Sequence, residues 1–345
     1  MRFSWWISCS AIALLGAAGC REFDPGPGPL GDAAIRVDAG HADAAIPSLP
    51  PPDLGPPPNP GPKPLGGAIS GSTADGGALG GQVDRLFFGF TGDTRPSNAD
   101  DTAHYPIATI NNIFGRIADA DVQFSVDLGD HMYIVKNVAD APVQMGYYTD
   151  AARHLGARPL FMVLGNHDCG SGNCAYAPAD ANYVAYMAAL KQLNGPGADS
   201  PFYSFTVATQ AGPAVFVVIS DNFTGNLFNW LEQTLSDADK TARYTIVMRH
   251  HPLASPQQTT MLTEATLKRH KYTLFLTGHY HHYERDLAHD PSGRTVVYGL
   301  GGVPNSGPDW GYGLVQQGLD DRLYVTVYDA STNIPTDSWS VAPQQ

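Results

Sequence analysis

Pro159-Leu160-Phe161-Met162-Val163-Leu164 runs directly into Gly165-Asn166-His167-Asp168. A short apolar run closed by a turn glycine reads as a strand buried on both faces. Asn166, His167 and Asp168, which can all ligate or hydrogen-bond, then stand at the carboxyl end of that strand. Open α/β sheets bind their ligands there. Four more junctions of this kind follow one order along the chain. Gly92-Asp93 follows Leu86 to Thr91, and Gly129-Asp130-His131-Met132-Tyr133 follows Phe124 to Leu128. Val247-Met248-Arg249-His250 ends the run that begins at Tyr244, and Gly278-His279-Tyr280-His281 follows Tyr272 to Leu276. A lone Gly-Asp is an ordinary turn, so the weight lies in the conjunction. Alternate positions of an extended segment face one side, which lets His279 and His281 approach one point.

Carboxylates, an amide oxygen, a phenol and imidazoles together make a donor set for divalent or trivalent cations. Two cations about 3.5–4 Å apart can bind a phosphoryl group, make a nucleophile from water and stabilise the leaving oxygen. In this order the junctions resemble those of the calcineurin-like metallophosphoesterases, and more narrowly the purple acid phosphatases. That branch carries Gly-Asp-x-Gly, Gly-Asp-x-x-Tyr, Gly-Asn-His-Glu/Asp, Val-x-x-His and Gly-His-x-His. The similarity extends to Trp230-Leu231-Glu232, to Pro252 after His250, and to Tyr283-Glu284-Arg285, and it spans Leu86 to Glu284.

The resemblance implies a fold and a set of roles. The fold is α/β, a four-layer α/β/β/α sandwich of two mixed sheets flanked by helices. A ferric ion would take Asp93, Asp130, Tyr133 and His281. A divalent ion, Fe, Zn or Mn, would share Asp130 and add Asn166, His250 and His279. His167 would lie outside the ligand shell, contact the phosphate and help the leaving group depart, while a metal-activated hydroxide attacks phosphorus.

Two departures bear on substrate and leaving group. Arg95 stands where the purple phosphatases have glycine; its guanidinium has only donors and cannot be a ligand. It could clamp a phosphate oxygen, or pair with Asp100 or Asp101. The second outer-sphere histidine of that branch is missing, since Pro252 to Leu267 contains none. Tyr133 could instead pack against the core. His131, His251 and His282, neighbours of ligand positions, read as structural or solvated side chains, with support of a ligand or contact with substrate as the alternative.

Elsewhere, helices are expected near Pro106 to Ala118, Ala179 to Leu193, Phe228 to Leu235 and Met261 to His270. Further strands are expected at Ala214 to Ser220, Thr295 to Gly299 and Leu323 to Tyr328. The catalytic domain would run over residues 83–345. Ahead of it, residues 1–19 read as a lipoprotein-type signal: Arg2, an apolar run from Trp5 to Leu15, then Gly16-Ala17-Ala18-Gly19 before Cys20. An ordinary cleaved signal is the alternative. Residues 20–82 are rich in Pro, Gly, Ala and Asp and read as a disordered tether from a lipid-bearing Cys20. As a coil of about forty-five residues, the tether would span roughly 35–40 Å.

The formal charge of −13 argues against an extended grip on nucleic acid, which needs clustered Lys and Arg. Small phosphorylated substrates are the expected partners, because bound cations dominate the local field. With Cys9 in the signal and Cys20 at the lipid position, Cys169 and Cys174 remain, and in an exported chain a disulfide between them is expected. The sequence reading is an exported, membrane-anchored phosphoesterase that faces the periplasm or cell surface and acts on monoesters. Its alternatives are a phosphodiesterase on nucleotides, cyclic nucleotides or lipid headgroups, and a surface binding protein with weakened turnover.

Overall fold

The computed structural model describes residues 59–64, 67–70, 80–170, 180–194, 199–220, 225–253, 258–286, 290, 295–298 and 311–343. The signal segment, Cys20 and the proline-rich stretch up to residue 58 lie outside the described residues. Everything below concerns the unit from Asp53 to Gln345.

Two sheets carry the fold. The first has six strands in the order Pro335–Val341 (β14), Leu323–Asp329 (β13), Gly311–Gln317 (β12), Phe87–Thr91 (β3), Phe124–Asp127 (β4) and Leu160–Met162 (β5). Within it β3, β4 and β5 run parallel. The second has eight strands: Gly67–Ser70 (β1), Gly80–Val83 (β2), Tyr203–Thr209 (β6), Gly212–Ile219 (β7), Tyr244–Arg249 (β8), Leu274–Thr277 (β9), Thr295–Tyr298 (β11) and Tyr283–Arg285 (β10). Here β7, β8, β9 and β11 run parallel. The helices are Ile107–Asp119 (α1), Ala141–Ala152 (α2), Ala181–Asn194 (α3), Gly225–Thr241 (α4) and Gln258–Leu267 (α5).

The two-residue period of the strands divides their side chains between layers. Phe88 and Phe90 of β3, Phe124 and Val126 of β4, and Phe161 of β5 meet Phe205, Phe216, Val218, Ile246 and Met248 in one core between the sheets. Phe205 and Phe216 stack with their ring centroids 4.7 Å apart. The alternate residues Phe87, Leu160 and Met162 pack outward beneath Ile110, Phe114 and Ile117 of α1, Tyr148 of α2 and Tyr186 of α3. On the other side Val217, Ile219, Val247 and Phe275 pack with Leu231 and Leu235 of α4 and Leu267 of α5. The architecture is thus the expected α/β/β/α sandwich of two mixed sheets.

Several elements differ from the sequence expectation. α2 was not expected: its buried positions include Gln144 and Thr149, so no apolar stripe marks it. β12 and β14 are equally poor in alternation, and β14 opens on Pro335. α4 runs beyond Phe228 to Leu235 at both ends. Gly67–Ser70 and all of Gly80–Val83 but its last residue fall in the stretch read as a disordered tether; the two strands pair antiparallel with each other, and β2 joins β6. Backbone hydrogen bonding secures these two strands, and that leaves little trace in composition.

Candidate metal centre

Ligand candidates leave the carboxyl ends of parallel strands in both sheets. Asp93 follows β3, Asp130 follows β4, Asn166 and His167 follow β5, His250 follows β8, and His279 and His281 follow β9. The connecting turns interlock. Asp93 N donates to Gly129 O at 2.8 Å, Arg95 N to Asp130 O at 3.1 Å, and Gly278 N to His250 O at 2.8 Å. Gly129 takes φ +99°, and a Cβ built on Gly165 would stand 2.3 Å from Asp130 Oδ1. Only glycine lets the second and third turns approach this closely. Asp93, Asp130, His279 and His281 all hold positive φ, at 54°, 60°, 80° and 54°. For histidine that conformation is uncommon, and such backbone strain gathers at functional sites.

The donors converge. One atom each from Asp93, Asp130 and His281 lies within 4.8 Å of the other two, a group able to hold an ion. His250 Nε2 lies 3.3 Å from Asp130 Oδ1 and 4.0 Å from Asp93 Oδ1. Asn166 Oδ1 lies 3.1 Å from His250 Nε2 and 3.0 Å from His279 Nδ1. His250 Nδ1 is 2.8 Å from Leu128 O; a carbonyl only accepts, so Nδ1 donates there and Nε2 is the nitrogen turned toward the carboxylates.

The residues present fit a bound cation. Asp93 Oδ1 is buried without a hydrogen-bond partner, 3.6 Å from His281 Nε2. Burial pushes the Asp93 carboxyl up to about 6, although His281 and His250 pull it down. Asp130 is also buried, but His250, His167 and Arg95 outweigh that burial and hold it well below the usual carboxylate range. A buried anionic oxygen lacking a hydrogen-bond partner, with imidazole nitrogens turned toward it, is what a cation would satisfy.

His167, Arg95 and Tyr133 border this group. His167 N donates to Asp130 Oδ1 at 2.8 Å, while its ring Nε2 stays 3.9 Å from Asp130 Oδ2. Burial pushes the His167 imidazole down to about 4. Arg95 is buried: Nε donates to Asp130 Oδ2 at 3.3 Å, Nη1 to Pro96 O at 3.1 Å, and Nη2 to His281 Nε2 at 3.1 Å. Pairing of Arg95 with Asp100 or Asp101 is therefore overturned. Asp100 caps the backbone N–H groups of Val135, Lys136 and Asn137, and Asp101 binds His104. Tyr133 does not enter the core. Its half-buried ring lies between the Arg95 guanidinium, 4.5 Å from the ring centroid, and the His167 ring at 4.1 Å.

One assembly behind the centre went unassigned in the sequence. His131 is fully buried, with Nε2 2.8 Å from Asp127 Oδ1 and Nδ1 2.9 Å from Asp168 Oδ2. Burial alone would lower the imidazole, but Asp168 and Asp127 raise it to about 10. Asp168 also accepts from the backbone N–H groups of Asp130, His131 and Gly165, tying the second turn to the third. The acid ending Asn-His-Asp is thus a fastener. The His251 ring lies tilted against that of His279, with centroids 4.0 Å apart, and His282 lies 3.1 Å from Glu284. Cys169 is buried and disulfide-bonded; Cys174, the expected partner, lies outside the described residues.

Comparisons with known proteins bear on this arrangement. The model of the calcineurin-like phosphoesterase family matches residues 88–283. No curated protein matches the chain. Among solved structures the chain is similar to GAP50, the anchor in the inner membrane complex of Plasmodium, at 20% identity and TM-score 0.52, covering 76% of this chain and 90% of that one. It is similar to a dimetal phosphatase from Danio rerio at 13% identity and TM-score 0.53, covering 75% and 99%. It is also similar to purple acid phosphatase PPD1 from yellow lupin, Lupinus luteus, at 16% identity and TM-score 0.52, covering 75% of this chain and 54% of that one. At these identities the likeness is one of fold.

Proposed function

Because the chain belongs to the calcineurin-like phosphoesterase family, we propose that it is a metal-dependent phosphoesterase with a binuclear centre, acting on phosphate monoesters. The observation that carries the reading is the convergence of Asp93, Asp130, Asn166, His250, His279 and His281 from the ends of both sheets. Asp93, Asp130 and His281, joined by the Tyr133 phenol, would hold a ferric ion. Asn166, His250 and His279 would hold a divalent Fe, Zn or Mn ion, with Asp130 shared. Such ions, when bound, supply Lewis acidity toward water and the phosphoryl oxygens.

The chain's own residues do the rest. Asp130 has two carboxylate oxygens and can face both ions, and His167 N, at 2.8 Å from Oδ1, orients it. His167 is neutral at pH 7, since burial lowers it to about 4; a phosphate dianion alongside is the partner that would return its proton for delivery to the leaving oxygen. Arg95 adds a planar fork of donors for a phosphate oxygen. The chain would act on small phosphorylated substrates and not on nucleic acid, in keeping with its −13 charge.

Metal analysis combined with rates on paired chromogenic monoester and diester substrates tests the reading. Metal-dependent turnover with the monoester faster is expected. A faster diester would shift the assignment to a phosphodiesterase, and metal binding without turnover would shift it to a surface binding protein. For location, we propose export and lipid anchoring at Cys20. No described helix is long and apolar enough to cross a membrane. Cys20→Ser should move the protein from the membrane fraction to the soluble one, because it removes the site of the acyl chains; a wild type already soluble would refute the anchor.

A further inference from the structure

We propose that Gln144 is a positioning residue for the metal centre and acts through Tyr133. The inference rests on the metallophosphoesterase reading and deepens it. Gln144 lies on α2, outside every motif that supplies a ligand, yet its side chain is fully buried. Its amide is oriented by its neighbours. The Tyr133 N–H only donates, so the atom 2.9 Å from it is the acceptor Oε1. Nε2 then donates to Thr102 Oγ1 at 3.1 Å, and that hydroxyl gives its own proton to Asp140 Oδ2 at 3.2 Å. Every bond of this chain runs one way, from Tyr133 through Gln144 and Thr102 to the carboxylate that precedes α2.

The carbonyl of Tyr133 is held as well. It accepts from Asp100 N at 2.8 Å, and the Asp100 carboxylate takes the N–H groups of Val135, Lys136 and Asn137 at 2.9–3.0 Å. Both backbone polar groups of Tyr133 are thus fixed, one by α2 and one by the loop that follows the first turn. Met132 and Ile134 on either side are buried in the core beneath the helices. The Tyr133 ring turns the other way, with its centroid 4.1 Å from that of His167. A phenol ends a long side chain, so a small turn of this backbone moves its oxygen much farther. Misplacing a group at a reacting centre by about 1 Å costs on the order of 10²-fold in rate. An apolar side chain at 144 would fill the same space and leave the Tyr133 N–H without its acceptor.

The test is a double-mutant cycle on the full chain supplied with ferric ion and Mn²⁺, read as kcat/KM on a chromogenic monoester and diester. Gln144→Met should lower kcat/KM by roughly 10- to 100-fold, and Tyr133→Ala by at least as much. Adding Gln144→Met to Tyr133→Ala should change kcat/KM by less than about twofold, because the side chain acted upon is already gone. A Gln144 that only supports the fold would cost as much in both backgrounds. Hydrogen exchange of the same protein gives a second readout: the Tyr133 amide should exchange about tenfold faster in Gln144→Met, the scale of one lost hydrogen bond. If Gln144→Met folds poorly, Thr102→Val, which takes the hydroxyl from Gln144 Nε2, should show the same pattern with smaller effects. Equal losses in both backgrounds, an undiminished kcat/KM in Gln144→Met, or a Tyr133 amide that stays protected would overturn the proposal while leaving the phosphoesterase reading intact. A wild type that turns over neither ester would overturn both.

Discussion

Replacing Asp168 by Asn alters one oxygen and should unfasten the site. Oδ2 of Asp168 accepts from Asp130 N at 3.1 Å, Gly165 N at 2.9 Å and His131 Nδ1 at 2.9 Å, and Oδ1 accepts from His131 N at 2.8 Å. An amide has one acceptor oxygen. Turned one way, its NH₂ faces the His131 backbone N–H; turned the other, it faces three donors. At least one buried N–H loses its partner, and the His131 imidazolium loses one of its two counter-charges. Breaking one side of a buried, hydrogen-bonded charge pair costs about 3–5 kcal/mol. At about 2–4 °C per kcal/mol for a domain of this size, that is roughly a 6–20 °C fall in Tm.

Thermal or urea unfolding with saturating metal measures it, and a pH series identifies the cause. Folding raises His131 from its ordinary 6.5 to about 10. Stability from that proton is therefore complete below pH 6.5 and is lost as pH rises toward about 10. Wild type should weaken over that window and Asp168→Asn should weaken less. A loss under about 1 kcal/mol, the value of an exposed pair, or identical pH slopes, would refute the fastener argument.

Other variants probe the centre itself. If Asp130 is shared between two ions, Asp130→Asn should lower metal content and activity together, because that carboxylate loses its charge; near-native turnover with both ions retained would exclude bridging. His167→Ala should keep its metals while kcat falls by about 10²–10⁴, the range for a general acid, whereas loss of an ion would make His167 a ligand. If Tyr133 binds ferric ion, the protein carries a visible absorption band that Tyr133→Phe removes, and an active, iron-free, colourless wild type would end the iron assignment.

The convergence of these side chains was legible because strand-end turns are short, so residues that follow successive strands come together at the ends of the sheets. Asp93, Asp130, Asn166, His250, His279 and His281 all arrive where motif spacing puts them. The central strands were equally legible, since burial on both faces makes them continuously apolar. Other features leave no such trace. α2 buries Gln144 beside Met145 and Tyr148, with Gln144 Oε1 accepting from Tyr133 N, so its polar positions are structural and its apolar period is lost. The contacts of Arg95 and Asp168 depend on turns that are distant in the chain. Asp168 reads as part of a ligand motif, yet its four acceptor contacts lie on His131, Asp130 and Gly165. Composition could not separate its role from that of Asn166.

The division of ligands between two sheets has a consequence for when the protein can acquire its ions. Asp93, Asp130 and Asn166 leave β3, β4 and β5 of one sheet, whereas His250, His279 and His281 leave β8 and β9 of the other. A chain grown only as far as β7 has the carboxylates and no imidazole from the second sheet. Closing the long intervening loop is slow compared with forming local structure. Any ions held there would therefore be acquired late in folding, from whichever compartment the chain occupies when its sheets meet. A chain that crosses a membrane unfolded would choose its ions on the far side, by their abundance there.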